Sequence, residues 1–281
     1  NLDLRDKKAL KSIFRKYSIG QVFHFAGLKA VGESIEKPIE YYDNNIIGTL
    51  ALLEVMQEFG SKTIVFSSSA TVYGNPKTIP VSEDSALSAI NPYGRSKLLI
   101  EKILEDIFVS DESWRIAILR YFNPIGAHKS GLIGESPKTL PNNLIPYVSQ
   151  VALGKVDKLR IFGSDYDTPD GSGVRDYIHV MDLVKGHIKA LQALEKGPQL
   201  LTINLGTGKG YSVFDIVKAY EKISGRKVPY EIVARRNGDV ASCYSDPFYA
   251  AKKLRWKAFY GIEDMCMDDW NWRLNNPDGY L

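Results

Sequence analysis

Thr63-Ile64-Val65-Phe66-Ser67-Ser68-Ser69-Ala70-Thr71-Val72-Tyr73-Gly74 is the stretch that decides the fold. Its opening residues are β-branched and aromatic with no polar alternation, the pattern of a short strand buried on both faces of a parallel sheet. A serine just past the carboxyl end of such a strand sits where open α/β sheets bind their ligands. Upstream, Gln21-Val22-Phe23-His24-Phe25-Ala26-Gly27 reads as a continuous apolar strand closed by a glycine turn. Downstream, Ile116-Ala117-Ile118-Leu119-Arg120-Tyr121-Phe122 reads as another, ending in Asn123-Pro124. Helical patterns alternate with these strands: a basic amphipathic one around 5–17, one after Pro38 over 39–59 that ends near Gly60, and one over 92–108. With strands at 63–67 and 115–122, this rhythm predicts an α/β fold with a doubly wound parallel sheet.

The helix at 92–108 opens on Asn91-Pro92-Tyr93-Gly94-Arg95-Ser96-Lys97. Asparagine is a capping side chain, and proline fits a first turn, where its missing N–H costs nothing. Tyr93 and Lys97 are then i,i+4 neighbours on one helix face. An ammonium that near stabilises phenolate and is expected to draw the tyrosine pKa down from about 10. A tyrosine so placed is a usable general base. A bare YxxxK is more often a surface tyrosine and a snorkelling lysine. Here it has company, because polar clusters also follow the strands at 63–67 and 115–122, which gives the topology of one site.

Together with HFAGLKAVGES at 24–34, LRYFNPIGAH at 119–128, PNNLIPYV at 141–148, GVRDYIHVMDL at 173–183 and NLGTGKGYSV at 204–213, these segments resemble the extended short-chain dehydrogenase/reductase superfamily. Within it the chain is most similar to the UDP-galactose 4-epimerase family, over essentially all 281 residues. The resemblance implies a Rossmann-like NAD-binding domain at 1–123 and a smaller α+β UDP-sugar-binding domain at 124–281, with possible crossings of the chain between them. It implies a catalytic Ser69, Tyr93 and Lys97: Tyr93 takes the proton of the sugar 4-hydroxyl, Lys97 holds the tyrosine pKa down and bonds the ribose, and Ser69 positions the same hydroxyl. For the cofactor it implies Asp3 and Leu4 beside the adenine, a backbone wall from Phe25 through Ala26 to Gly27, and Lys29, Asn44, Ser67 and Tyr121. Read from the residues alone, Phe25 and Ala26 are as readily plain core. For the substrate it implies Ala70 and Thr71 beside Ser69, and Tyr121, Phe122 and Asn123 as the sugar wall. Asn142, Asn143 and Leu144 then open a helix at 143–153 that favours an anion at its start. Arg160, Ile161 and Phe162 would flank the uracil, and Arg175 and Arg236, with Asp239 nearby, would clamp the diphosphate. Guanidinium suits that task because it binds phosphate bidentately.

Three departures from the family pattern bear on function. The glycine fingerprint that binds a dinucleotide pyrophosphate on the first βα turn is absent from the sequence, so the first βαβ unit is expected to be missing and NAD binding by these residues alone to be weakened. Dehydratases of the superfamily place an Asp-Glu pair after the site serine, whereas Ala70-Thr71 stand here. Cys243 occupies a position where the family varies between tyrosine and a small residue, and a small one leaves space for a 2-acetamido group. The competing class is a non-catalytic sugar-nucleotide-binding module or an inactive fragment.

The totals exclude several other classes. Net charge is +3 with 25% charged residues, too small and scattered a balance for nucleic acid or an anionic membrane. Two cysteines and no CxxC make no disulfide or zinc framework, which favours a reducing cytoplasm. No apolar run nears the roughly 18 residues of a membrane span. The acidic loop at 165–171 fails the EF-hand spacing, and His24, His128, His179 and His187 lack ligand spacing, so no metal is expected. Trp270 and Trp272 fall in a final helix as core residues. A homodimer through the helices around 39–59 and 92–108 is a further expectation from the resemblance.

Overall fold

The computed structural model describes residues 2–137, 141, 143–236 and 238–280. Asp6 caps α1 (Lys7–Lys16) by accepting the Ala9 N–H at 3.0 Å. β1 (Val22–His24) follows, then α2 (Val31–Glu36), α3 (Pro38–Tyr42), a π-helical turn at Asp43–Ile47, α4 (Gly48–Glu58) and β2 (Thr63–Ser67). A 3₁₀ turn at Ala70–Tyr73 leads to α5 (Pro92–Ser110), β3 (Arg115–Tyr121) and β4 (Asn123–Ile125). Beyond these come α6 (Leu144–Ala152), β5 (Leu159–Phe162), β6 (Val174–His179), α7 (Val180–Leu194), β7 (Gln199–Leu205) and β8 (Gly210–Ser212). The chain closes with α8 (Val213–Ser224), β9 (Tyr230–Val233), β10 (Ser242–Cys243), α9 (Phe248–Leu254) and α10 (Ile262–Asn275).

Two compact units share this chain. One holds Asn1–Pro76, Glu83–Tyr121 and His187–Asn204; the second holds Lys77–Ser82, Phe122–Gly186 and Leu205–Leu281. The division therefore falls after Tyr121 rather than at 123/124, and the chain crosses over. The physical reason is the sheet: β3 needs a strand on its far side, and β7 supplies it.

In the first unit the strand order is β1-β2-β3-β7, with β1, β2 and β3 parallel and Phe66 level with His24 and Ile118. Every residue of β2 is buried, as the run of β-branched residues requires. Ile64 and Phe66, with Ile116 and Ile118, pack against Leu10, Phe14, Leu52, Met56, Ile100 and Leu104 of α1, α4 and α5, each such side chain contributing about 1.5–3 kcal/mol. On the opposite face Ser67 Oγ meets His187 Nε2 of α7 at 2.7 Å. The apolar run at 21–27 forms only a three-residue strand. Phe23 and Phe25 are exposed and stacked on each other at 6.2 Å, so the plain-core reading of Phe25 does not hold. β1 is the edge strand among the described residues, which leaves that face of it uncovered. The helix expected over 39–59 is one run with a π-helical turn inside it, a feature often found at functional sites.

In the second unit β10, β6 and β4 are parallel, β8 lies antiparallel on β6, and β5 pairs with β9. Ile145, Val148, Ile161, Tyr177, Tyr220 and Met265 belong to its core. Trp272 is fully buried, and Trp270 packs edge-on against Tyr220 at 5.9 Å. The glycine-rich loop at 206–210 looks like an anion cradle, but Asp176 fills it. Its carboxylate accepts from Thr207 N–H and Oγ1, Gly208 N–H, and Ser245 N–H and Oγ. Among the described residues no group of three or more acidic, histidine or cysteine side chains could hold a metal, and no helix is long and apolar enough to cross a membrane.

Candidate active site

Three serines leave the end of β2 in three directions. Ser67 turns to His187, Ser68 donates to the Glu101 carboxylate, and Ser69 caps the 3₁₀ turn by accepting from Thr71 N–H at 3.2 Å and Thr71 Oγ1 at 3.0 Å. Gly74 ends that turn at φ 62, where an added Cβ would stand 2.0 Å from the Ser88 carbonyl oxygen. α5 begins as the sequence predicts, with Asn91 Oδ1 accepting the Gly94 N–H at 2.8 Å and Pro92 in the first turn. A Cβ on Gly94 would lie 3.0 Å from the Thr71 carbonyl oxygen. That close approach carries the first turn of α5 onto the 3₁₀ turn and brings the Tyr93 phenol near enough to the Ser69 hydroxyl for the hydroxyl to ease its ionisation.

Ser69, Tyr93 and Lys97 are all buried. The Lys97 ammonium donates to the Ser67 carbonyl at 2.8 Å and lies 4.8 Å from the Phe66 ring centroid and 6.0 Å from that of Tyr93. Burial pushes Lys97 down to about 8, opposed by the charge of Glu101. Burial also pushes the Tyr93 phenol above its ordinary value, opposed by the Ser69 hydrogen bond. This corrects the expectation that Lys97 draws Tyr93 down. The ammonium is aimed at a backbone carbonyl, and the loss of water around a phenolate outweighs it.

Around this trio the first unit gathers several of the other expected residues. Burial pushes the Tyr121 phenol up, opposed by the nearby Ser67 hydroxyl. His187 stands 6.1 Å from the Tyr121 ring and 4.9 Å from that of Phe25. Phe25, Ala26, Gly27 and Lys29 are exposed along the loop after β1. Asn45 ties that loop down, accepting the Leu28 N–H at 2.7 Å and donating to the Leu28 carbonyl and to Ser96 Oγ, each at 3.0 Å. Asn44 is half-buried beside it in the π-helical turn, and Ala70 and Thr71 follow Ser69 directly. Asp3 and Leu4 stand ahead of α1. The Asp3 carboxylate is bound by Arg5 through Nη2 at 2.6 Å and Nε at 3.0 Å, and Leu4 packs on the core beside Gly48.

In the second unit Arg175 and Cys243 face each other across β6 and β10. Arg175 Nη1 donates to the Val174 carbonyl at 2.9 Å and the Ala241 carbonyl at 3.4 Å. Cys243 is buried, which pushes its thiol up to about 11. The Arg236 guanidinium lies 4.2 Å over the Phe162 ring, and its carbonyl accepts the Asp239 N–H at 3.2 Å. Arg160 turns outward to Glu231 at 3.4 Å. The Ile161 side chain sits in the core, which leaves only its backbone to face a base. Asn143 stands at the start of α6 and reaches Glu135 at 3.4 Å, with Leu144 packed on the core. Phe122 is buried and Asn123 exposed. Asn142 lies outside the described residues.

The sequence reading missed Asn45, Ser68, Glu101 and Arg120. A signal existed for two of them: Glu101 repeats the four-residue step from Tyr93 to Lys97, and Arg120 is a lone charge inside an apolar strand. For NAD the fit is to its nicotinamide–ribose end. Lys97 has one acceptor among the described residues, the Ser67 carbonyl, so its ammonium keeps donors for a ribose diol.

The GDP-mannose 4,6 dehydratase family model matches residues 1–268. UDP-glucose 4-epimerase of Bacillus subtilis (strain 168) is 55% identical over 278 residues, which cover 99% of this chain and 82% of that protein. UDP-glucose 4-epimerase of Dictyostelium discoideum is 57% identical over 281 residues, 100% of this chain and 82% of that one. The crystal structure of the Bifidobacterium longum UDP-glucose 4-epimerase, in complex with NAD+ and UDP, superimposes with a TM-score of 0.97 at 53% identity. It covers 100% of this chain and 84% of that chain. A kinship of this closeness, sustained from end to end, makes the chain a member of the UDP-glucose 4-epimerase family, within the extended short-chain dehydrogenases/reductases.

Proposed function

We propose that the chain interconverts UDP-galactose and UDP-glucose by transient oxidation at the sugar C4. The observation that carries this is the buried Tyr93 phenol, beside the Ser69 hydroxyl and one helical turn from a buried ammonium. NAD, when bound, supplies the acceptor for the C4 hydride and gives it back. Tyr93 as phenolate takes the 4-hydroxyl proton as the hydride leaves and returns it when the hydride comes back, so net redox is zero. Ser69 donates a hydrogen bond to the same sugar oxygen. Lys97 stays charged, stabilising the phenolate, and its remaining donors suit the ribose hydroxyls of the cofactor. Phe25, Ala26, Gly27, Lys29, Asn44, Ser67 and Tyr121 would complete the cofactor's contacts; the exposure of the loop after β1 supports this.

Arg175 and Arg236 anchor the diphosphate in this reading. Arg236 lies 4.2 Å over the Phe162 ring and has no carboxylate partner among the described residues, which suits an arginine reserved for a ligand. Ala70 and Thr71 provide no carboxyl group for removing water, so the reaction ends at epimerisation. UDP-N-acetylhexosamines are included as substrates because Cys243, a small residue, stands level with Arg175. Cys243→Tyr is expected to abolish turnover of UDP-N-acetylglucosamine while leaving UDP-galactose within about threefold; retained activity on the acetylated sugar would sink the explanation. A homodimer belongs to the same proposal. Exposed Ile39 and Ile47, and Leu99 and Val109 on α5, support it, and sedimentation of the protein would test it.

The decisive assay is conversion of UDP-galactose to UDP-glucose, without NAD and then with NAD in excess. Conversion that disappears in Tyr93→Phe supports the reading. Binding of UDP-sugar without conversion under either condition overturns it in favour of a non-catalytic module.

A further inference from the structure

Glu101 follows Lys97 by four residues, as Lys97 follows Tyr93, so the three form one buried stripe along α5. Arg120, from the middle of β3, grips the Glu101 carboxylate through Nη2 at 2.7 Å and through Nε at 3.1 and 3.2 Å. Ser68 Oγ donates to the same carboxylate. Ser68 lies between Ser67, whose carbonyl holds Lys97, and Ser69, whose hydroxyl stands beside the Tyr93 phenol. A group that fixes Ser68 therefore fixes the peptide from which both contacts come. A buried ion pair adds little stability over a well-packed apolar pair, so stability alone does not account for placing one here.

We propose that Glu101 is a positioning residue: it holds Ser68 so that the Ser67 carbonyl and Ser69 hydroxyl stay aimed at Lys97 and Tyr93, and it sets its negative charge one helical turn from the Lys97 ammonium. The link to turnover rests on the epimerase reading; the effect on Lys97 does not. The other titratable or charged groups about Lys97 are Tyr93 on its own helix, His24 on β1, Arg120 and Tyr121 on β3, and His187 of α7 against Ser67. None of these is a carboxylate. Glu101 is the charge that opposes the burial of Lys97.

The test reads Lys97 without cofactor or substrate. Unfolding free energy is measured by urea from pH 6 to 10, and the Lys97→Met profile is subtracted from the parent's to isolate the lysine's titration. Glu101→Gln in both backgrounds is expected to move the bend of that difference to lower pH by about one unit or more. Arg120→Met removes a positive charge from the far side of Glu101 and is expected not to lower it. No movement in Glu101→Gln, or equal movements in both variants, would overturn the proposal, since a merely structural ion pair gives that result. If Glu101→Gln does not fold, Glu101→Asp keeps the charge and must hold the bend within half a unit; an acid shift of a full unit there overturns the idea as well. In turnover the high-pH limb of kcat follows the bend, while KM for UDP-galactose stays within about threefold. A parent protein that does not turn over would count against the epimerase reading, and the unfolding profiles would still decide the role of Glu101.

Discussion

The two units carry opposite kinds of polar site. In the first, Ser69, Tyr93 and Lys97 are withdrawn from water, with Ser69 bonded to Thr71 and Lys97 to the Ser67 carbonyl. In the second, Arg236 lies stacked on an aromatic ring and Arg175 leans on two backbone carbonyls, both with part of their surface open. The difference follows from what each must do. A proton-transfer site excludes water, and burial there shifts Lys97 down toward the working pH while raising Tyr93, whose phenolate the ammonium must then favour. Holding a diphosphate needs cationic donors that remain available until the anion arrives. One site invests in perturbation and the other in readiness, and each prediction below probes one side of that contrast.

The largest effect is expected at the phenol. Tyr93→Phe removes the proton acceptor without changing shape, and should lower kcat by about 10²- to 10⁴-fold with KM little altered. A loss under tenfold, measured by following UDP-glucose formation, would break the assignment of Tyr93 as the base. Lys97→Met should cost activity on a similar scale and at the same time stabilise the protein. The lysine's pKa is depressed from 10.5 to about 8, so the folded state binds that proton less tightly than the unfolded chain. Stability is therefore lowest below pH 8 and rises as pH climbs from 8 toward 10.5. Removing the group relieves up to about 3 kcal/mol at pH 7. Urea midpoints at pH 7 and pH 10 check this, and a variant gaining more at pH 10 than at pH 7 would refute it.

How much of this was legible in the sequence depends on whether the signal was local. The Asn91-Pro92 cap, the buried strand at 63–67 and the tyrosine-to-lysine step all rest on spacing within one element, and each stands in the structure as read. The direction of the Tyr93 shift did not, because it depends on how little water reaches the phenol, which no spacing reports. The family resemblance marks Ile161 as flanking a base, while the alternation of β5 puts its side chain in the core between exposed Arg160 and half-buried Phe162. The glycine loop at 206–210 shows the same limit from the other side. Its composition suits an anion, but the anion is Asp176, contributed from more than thirty residues away by a different strand. The return of 187–204 to the first unit was equally invisible, since it is set by the sheet edge that β7 completes.

On the binding side, Arg236→Ala should raise KM for UDP-galactose by about 10- to 100-fold, the loss of a charge-assisted contact worth about 1.5–3 kcal/mol. kcat should change far less, because the arginine holds the nucleotide equally in ground and transition states. A fall in kcat with KM unchanged would move Arg236 from anchoring to chemistry and erase the contrast between the two units.

The smallest effect is expected one residue earlier, and it is the sharpest control. Arg235 and Arg236 are adjacent and of one type, and both lie over aromatic rings at 4.2 Å, Tyr166 and Phe162 respectively. They differ in what already occupies the guanidinium. Arg235 Nε donates to Asp165 Oδ1 at 2.7 Å, and its Nη2 to the Asp165 carbonyl, so its donors are committed within the loop. Arg236 has no such partner among the described residues. If availability is what marks a binding arginine, Arg235→Ala should alter KM by no more than about threefold, the scale of an exposed ion pair. Equal losses in the two variants, read from KM for UDP-galactose under identical salt, would mean that charge in this loop matters and its commitment does not.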